Sequence, residues 1–285
     1  MQDFNYHTHT YRCGHADYNM TDEDYVKEYI RNGYKKMAFT DHVPHENNTD
    51  TRKGVRMTME ERIGYLEEIN DLKKKYDGII DIKSGFEVEY LPELEDEIKR
   101  RMDECDIIIT GQHFTRSPEG DLKVFGKVPY DRDDFKRYTE CLYNIASKHL
   151  TDIIAHPDFA LMSQDSFTEV EAEMAHDIGK IAEETKVPLE INLNRIMHNT
   201  YLTKRSIWNH DPIEVQKTRL GNCKYPNRDF WKIISEYDVN VIYGLDVHFG
   251  GQISIHNELT ELGNYIIGQE TLDKLHFLDD VEIKR

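Results

Sequence analysis

The chain has 285 residues, 38% of them hydrophobic and 32% charged, which fits a soluble globular protein with a sizeable core in one large α/β domain or two smaller ones. Its formal net charge of −18 opposes nucleic acid as a partner, because a polyanion is held mainly by Lys and Arg contacts to phosphate. No apolar run approaches the ~18 residues of a membrane span, and Met1-Gln2-Asp3-Phe4 carries neither a basic nor an apolar leader, so a cytoplasmic chain without a signal peptide is expected.

Strand-like apolar runs alternate with helix-like segments throughout. Phe4–His7 reads as the first strand and Thr21-Asp22-Glu23-Asp24 as a capped helix start, the helix ending at Asn32-Gly33. Lys36–Thr40 is the second strand, and the capping box Thr58-Met59-Glu60-Glu61 opens a helix to about Tyr76, with Lys73-Lys74-Lys75 at the end the dipole favours. Asp81–Glu89 is the third strand, Pro92–Met102 a short helix, Asp106–Gln112 the fourth strand and Asp133–His149 a helix. Asp152–His156 is the fifth strand, Ser166–Thr185 a long helix, and Pro188–Asn192 the sixth strand. A loop-rich insertion at about Arg195–Tyr225 follows, long enough to act as a lid; then come a helix at Pro226–Tyr237, a seventh strand at Asn240–Gly244 and a helix at about Asn257–Gly268. The tail Leu278–Arg285 reads as peripheral. The cysteines, Cys13, Cys105, Cys141 and Cys223, are scattered and form no CxxC pair, so reduced thiols are expected. Repeated β-then-α units predict a parallel sheet with helices outside it. With no break in composition, one closed barrel over residues 1–285 is favoured over two domains, with chemistry at the C-terminal ends of the strands.

Those ends carry metal-type ligands. Strand one ends in His7-Thr8-His9, whose i, i+2 spacing puts both imidazoles on one side, with His15 and Asp17 just beyond. Strand two ends in Asp41-His42, strand three carries Glu87 and Glu89, strand four ends in Gln112-His113, and strand five in His156-Pro157-Asp158. Strand six supplies Glu190, Asn192 and Asn194 instead, and strand seven leads into Asp246-Val247-His248. A lone histidine at a strand end is more often structural, but the same feature on five strands, with Glu on a sixth, points to metal. Imidazole and carboxylate suit zinc, iron and manganese, and the ligands are too many for one tetrahedral zinc, which implies two or three ions. Such a cluster lowers the pKa of a bound water and holds anionic oxygens, which suits phosphate esters. Neither a serine nucleophile elbow nor a P-loop is present. Glu89 shares a face with Glu87 and reads as a ligand support. His45, His198 and His210 read as surface loop residues, and His149, His176 and His256 as structural.

The set His7-x-His9, His15, Asp41-His42, Glu87, His113, His156, Asp246-x-His248 resembles the polymerase-and-histidinol-phosphatase (PHP) metallophosphoesterases across nearly the whole chain, and within them the monofunctional histidinol-phosphate phosphatases. The resemblance implies a distorted (β/α)7 TIM-like barrel, a trinuclear site and a metal-bridging hydroxide that attacks phosphorus. It also implies that His7, His9, Glu87 and Asp246 hold one ion, that Glu87 bridges to a second ion on His113 and His156, and that His15, His42 and His248 hold a third. Asp41 and Asp17 are candidate general acids, and Arg116, Arg195 and Arg12 candidate phosphate-binding arginines. Three departures stand out: Asn5 where Asp is expected, Gly111-Gln112-His113, and Glu190-Ile191-Asn192-Leu193-Asn194-Arg195. The expected partner is a small phosphorylated substrate, with no nucleic acid and no membrane. The favoured activity is hydrolysis of L-histidinol phosphate. The alternatives are another small ester such as a nucleotide or sugar phosphate, a nuclease opposed by the acidic surface, and a non-catalytic metal-binding module.

Overall fold

The computed structural model describes residues 2–47, 49–50, 52–200, 212–220 and 223–283. Its chain order is β1 (Phe4–Asn5), α1 (Asp22–Arg31), β2 (Lys36–Phe39), α2 (Glu61–Lys75), β3 (Asp81–Val88), α3 (Glu95–Glu104), β4 (Ile107–Thr110), β5 (Phe114–Arg116), β6 (Leu122–Val124), α4 (Arg132–Ser147), β7 (Ile153–Ile154) and α5 (Glu169–Thr185). Then follow β8 (Leu189–Asn192), α6 (Asn194–Thr200), α7 (Ile213–Lys217), α8 (Arg228–Ile234), β9 (Asn240–Gly244), α9 (Gly251–Ser254), α10 (His256–Ile267), α11 (Gln269–Leu272) and β10 (His276–Phe277). Two helix starts follow the sequence signals, Thr21 with Asp24 capping α1 and Thr58 exchanging bonds with Glu61 before α2, and Thr168 with Glu171 caps α5 in the same way.

Every pairing in the main sheet is parallel, in the order β1-β2-β3-β4-β7-β8-β9-β10. An isolated parallel bridge between Thr8 and Val247 joins the end of β1 to the chain after β9, so the sheet curls into a distorted, TIM-like α/β barrel. Alternate strand residues face two cores. Met37, Phe39, Phe86, Val88, Ile108, Ile154, Leu189 and Val241 pack outward against the helices. Phe4, Tyr6, Ala38, Ile107, Ile109, Ile153 and Ile242 form a small inner core. The period of two that makes a strand amphipathic thus builds a barrel with a filled floor.

The structure departs from the sequence expectation at the tail and after His113. The tail is not peripheral: β10 pairs with β9, Val281 is 5% exposed in the inner core, and Asp280 accepts hydrogen bonds from the Tyr6 hydroxyl (2.6 Å) and Lys36 (2.5 Å). A two-residue strand has no periodicity to read. Between His113 and α4 the chain forms an antiparallel hairpin, β5 with β6, turning at Gly120 with φ 93°. Within the loop-rich insertion, α6 runs in from Asn194 and α7 follows. The insertion's suggested role as a lid, and the placement of His210, fall largely on residues 201–211, 221 and 222, outside the described residues. Among the described residues no disulfide forms, and no helix is long and apolar enough to cross a membrane.

Candidate metal centre

One backbone bridge places four ligands. Around the Thr8–Val247 pair, His9 N donates to Val247 O (2.8 Å) and Val247 N to His7 O (3.1 Å). His7 and His9 flank Thr8, Asp246 and His248 flank Val247, and the side chains of these four turn toward one another. Asn5 locks this corner: its Nδ2 reaches His7 O (2.9 Å) and the Tyr29 hydroxyl (2.6 Å), while its Oδ1 accepts from Leu245 N (2.9 Å). A carboxylate at position 5 lacks the N–H donors, so the Asn at this position is a structural fit rather than a weakened contact to the ligands.

Glu87, at the end of β3, is the hub. Its Oε1 lies 2.8 Å from His156 Nε2 and 3.6 Å from His113 Nε2, and its Oε2 lies 2.9 Å from His42 Nδ1 and 3.4 Å from His9 Nε2. Gly111 makes room for it, since a Cβ there would sit 1.7 Å from Glu87 Oε1. On the other side, Asp246 Oδ1 is 3.3 Å from His9 Nε2 and 3.5 Å from His7 Nε2. His15, carried on the loop after β1, approaches His248 with the two Nε2 atoms 2.9 Å apart.

Supporting acceptors set which ring nitrogen is bare. His7 Nδ1 is engaged by Glu190 (2.9 Å), His113 Nδ1 by Glu89 (3.0 Å), His15 Nδ1 by Cys13 O (2.9 Å) and His248 Nδ1 by Asp246 O (3.0 Å). Each pairing keeps the proton on Nδ1 and turns a lone pair on Nε2 into the cluster, the arrangement that orients histidine ligands. His7 and His9 Nε2 are 3.1 Å apart, close to the roughly 3.3 Å that separates nitrogens about 2.0–2.1 Å from one tetrahedral zinc. Glu87 Oε2 and Asp246 Oδ1 are buried and accept no hydrogen bond. Buried acceptors left bare are costly unless a cation meets them, so the residues present fit divalent ions. Geometrically the ligand atoms fall into overlapping groups: His7, His9 and Asp246; His7, Glu87 and His156; His9, His42 and Glu87; His15, His42 and His248.

The charges agree with that fit. Burial alone raises the carboxyls of Glu87 and Asp246, yet the imidazoles around them hold both well below the usual range, hence ionised. Burial pulls His7 down, but Glu190, Asp246 and Glu87 prevail and hold it well above the ordinary value, so an ion that meets Nε2 must displace a proton from it. His9, buried against His248 and His42, is pushed well below it. His156 and Asp246 have φ of 30° and 47°, left-handed backbone at two ligands, which is strain of the kind functional sites retain.

A cavity of about 490 Å³ opens onto the cluster, its wall including His15, His42, Glu87, His113, His156, Asp246 and His248. Of the other residues expected at the site, Asp41 lies behind the wall, taking Thr10 N and Oγ1 at 2.8 Å each, with its carboxyl pushed up by burial to about 7. Asp17 caps a turn, accepting from Asn19 N (2.9 Å). Arg12 is spent on Asp22 (2.7 Å) and Glu68 (2.5 Å), and Arg116 on Glu93 (2.9 Å) and Gly120 O (2.9 Å), so neither reaches the cavity. Arg195, half-buried at the start of α6, is close enough to Tyr225 in the cavity wall for their charges to interact. His45 is not on the surface: it is 6% exposed and sits 3.6 Å from both Glu89 and Glu97. Arg52, Phe159, Tyr225 and Phe249 line the cavity and Glu190 stands behind His7, positions that sequence reasoning missed or left without a role. Only Glu190 had a local signal, an inward carboxylate on a strand.

Comparison with known proteins meets this geometry from outside. A histidinol-phosphatase of Bacillus subtilis (strain 168) is 34% identical over 143 residues, covering 48% of this chain and 52% of that protein, so the chain spans about half the length of this curated relative. A histidinol phosphate phosphatase from Lactococcus lactis, solved with zinc, L-histidinol and phosphate, has the same fold with a TM-score of 0.61 at 15% identity, covering 97% of this chain and 95% of that one. A Listeria monocytogenes protein provisionally assigned as a histidinol phosphatase has a TM-score of 0.65 at 19% identity, covering 88% of this chain and 97% of that one. The PHP domain pattern matches residues 5–194, which include seven of the nine candidate ligands, and the fold brings in Asp246 and His248 from beyond it. With two thirds of its length matched and those ligands gathered at one end of the barrel, the chain belongs to the PHP domain family.

Proposed function

We propose that the chain is a metal-dependent phosphomonoesterase that hydrolyses L-histidinol phosphate to L-histidinol and phosphate, with three divalent ions drawn from zinc, iron or manganese. The observation that carries this is the convergence of His7, His9, His15, His42, Glu87, His113, His156, Asp246 and His248 around bare, buried acceptors under an open cavity. In this assignment His7, His9, Glu87 and Asp246 would hold one ion, Glu87 with His113 and His156 a second, and His15, His42 and His248 the third. Ions bound there supply an activated water and neutralise phosphoryl oxygens. The chain's own residues orient and enclose. Glu190 and Glu89 fix the imidazoles of His7 and His113, Asp41 braces the loop that leads to His15, and Arg195 supplies a guanidinium beside the cavity for phosphate. The substrate assignment is supported by the Bacillus relative's activity and by the ligands of the Lactococcus neighbour. A single domain over 1–285 is supported by the packing of Val281 with Phe4 inside the barrel.

The test is phosphate release from L-histidinol phosphate, an aryl phosphate and several nucleoside monophosphates, with manganese or zinc supplied. A kcat/KM for histidinol phosphate in the range of about 10⁴–10⁸ M⁻¹s⁻¹ and far above the others is expected. Preference for a nucleotide would refute the substrate assignment while keeping the metal chemistry. A metal-loaded chain inert toward every ester would refute the activity.

A further inference from the structure

We propose that Arg56 is a positioning residue that ties the metal centre to an anion-facing arginine, Arg52; this rests on the metallophosphatase reading above. Both arginines lie on the loop between β2 and α2, outside the ligand set. Arg56 is 6% exposed on its side chain and is shared by two buried carboxylates: Nη2 donates to Asp50 Oδ2 (2.6 Å) and Glu89 Oε1 (3.1 Å), and Nη1 to Glu89 Oε2 (3.3 Å) and Val43 O (2.8 Å). Each carboxylate carries the link onward in a different direction. Glu89 Oε1 holds His113 Nδ1 at 3.0 Å, and His113 Nε2 faces Glu87. Asp50 clamps Arg52 through Nε (2.8 Å) and Nη2 (2.7 Å), leaving Nη1 as the donor edge of an arginine that lines the cavity beside His15 and His42.

The chain of contacts is therefore His113–Glu89–Arg56–Asp50–Arg52. A guanidinium's planar fork can bond two carboxylates at once, its single delocalised charge shared between them. Without it, Glu89, just past β3, and Asp50, in the loop between β2 and α2, are buried like charges with no cation shared between them, and each would swing toward other partners. Arg56 thereby fixes the ring that faces the ions and the cation that faces the substrate's anionic oxygens. The cavity contains no other arginine among its described lining residues.

Three variants of the full chain separate the two arms: Arg56→Lys, Asp50→Asn and Glu89→Gln. The readouts are divalent metal content after dialysis against a graded chelator, binding of inorganic phosphate to the manganese-loaded protein, and thermal unfolding. Arg56→Lys keeps the charge but not the fork, and is expected to weaken metal retention about 10–100-fold and phosphate binding about tenfold or more. Asp50→Asn is expected to weaken phosphate alone, and Glu89→Gln to weaken metal retention. Should Arg56→Lys not fold, that split between Asp50→Asn and Glu89→Gln carries the test by itself. Wild-type affinities in Arg56→Lys, or equal loss of metal in Asp50→Asn and Glu89→Gln, overturn the proposal. A wild-type chain that retains no divalent ion overturns the metallophosphatase reading itself, so the two failures are distinguishable.

Discussion

Replacing Glu190 by Gln removes one buried charge and changes where His7 carries its proton. Glu190 is 1% exposed, and its two oxygens meet only donors: His7 Nδ1 at 2.9 and 3.1 Å, His156 N at 3.0 Å and Asn192 Nδ2 at 3.1 Å. Gln has the same shape but must put an NH₂ where one oxygen was. At the Oε2 position that group faces two further donors, His156 N and Asn192 Nδ2. At Oε1 it faces only His7 Nδ1, so this is the cheaper choice. There it can be satisfied only if His7 Nδ1 becomes an acceptor, which moves the imidazole proton to Nε2. Nε2 is the nitrogen that faces His9, Glu87 and Asp246, and with a proton on it His7 cannot ligate. Loss of an orienting partner behind a histidine ligand typically costs 10–100-fold in metal affinity, or about 1.4–2.7 kcal/mol at 1.36 kcal/mol per tenfold. The assay is chelator competition for manganese or zinc on folded protein, with near- and far-ultraviolet circular dichroism as the control for structure. Metal affinity within twofold of wild type would refute the tautomer argument and, with it, the placement of an ion on His7.

The remaining predictions test the hub, the space around it and a structural charge. Glu87→Gln should lose two ions together, read by metal analysis, because its two oxygens face separate sets of imidazoles; loss of a single ion rules out bridging. Gly244→Ala puts a Cβ 1.5 Å from Glu190 Oε1 and should mimic Glu190→Gln in metal affinity while also losing about 1–3 kcal/mol of stability to overpacking; a variant that melts and loads like wild type rules out the close approach. Glu171→Gln should destabilise by roughly 1 kcal/mol at pH 7 in chemical denaturation, since the carboxylate caps α5 through Thr168 N (2.7 Å) and accepts from Gln164 Nε2 (2.6 Å). Although burial opposes it, those hydrogen bonds hold the Glu171 carboxyl below its usual value of 4.5. Its contribution is therefore complete above pH 4.5 and fades as pH falls through the lower, folded value, so the gap between wild type and variant should close in acid; a gap independent of pH contradicts the charge-based account.

The candidate ligands and the class of fold were legible in the sequence alone, because both are written in short-range patterns. His7-x-His9 and Asp246-x-His248 are i, i+2 pairs whose common side follows from the pleat of a strand, whatever lies around them. The β-then-α alternation likewise predicts a parallel sheet, and the starts of α1 and α2 were marked by their own capping residues. Elements too short for a period escaped: the β5–β6 hairpin, and β10 with the tail that fills the barrel floor through Val281.

Only the tertiary structure decided what surrounds the ligands. Arg12 and Arg116 stand close to ligands in sequence, yet they are taken by Asp22, Glu68 and Glu93, whereas Arg52 reaches the cavity from a loop with no recognisable motif. Asn5 gained its role from Tyr29 and Leu245, and Glu190 from His7, partners 24, 240 and 183 residues away. Strand geometry fixes where a backbone-adjacent side chain points, but a hydrogen-bond partner for a long charged side chain is chosen among everything the fold brings within about 3 Å, and that choice is not encoded in spacing along the chain.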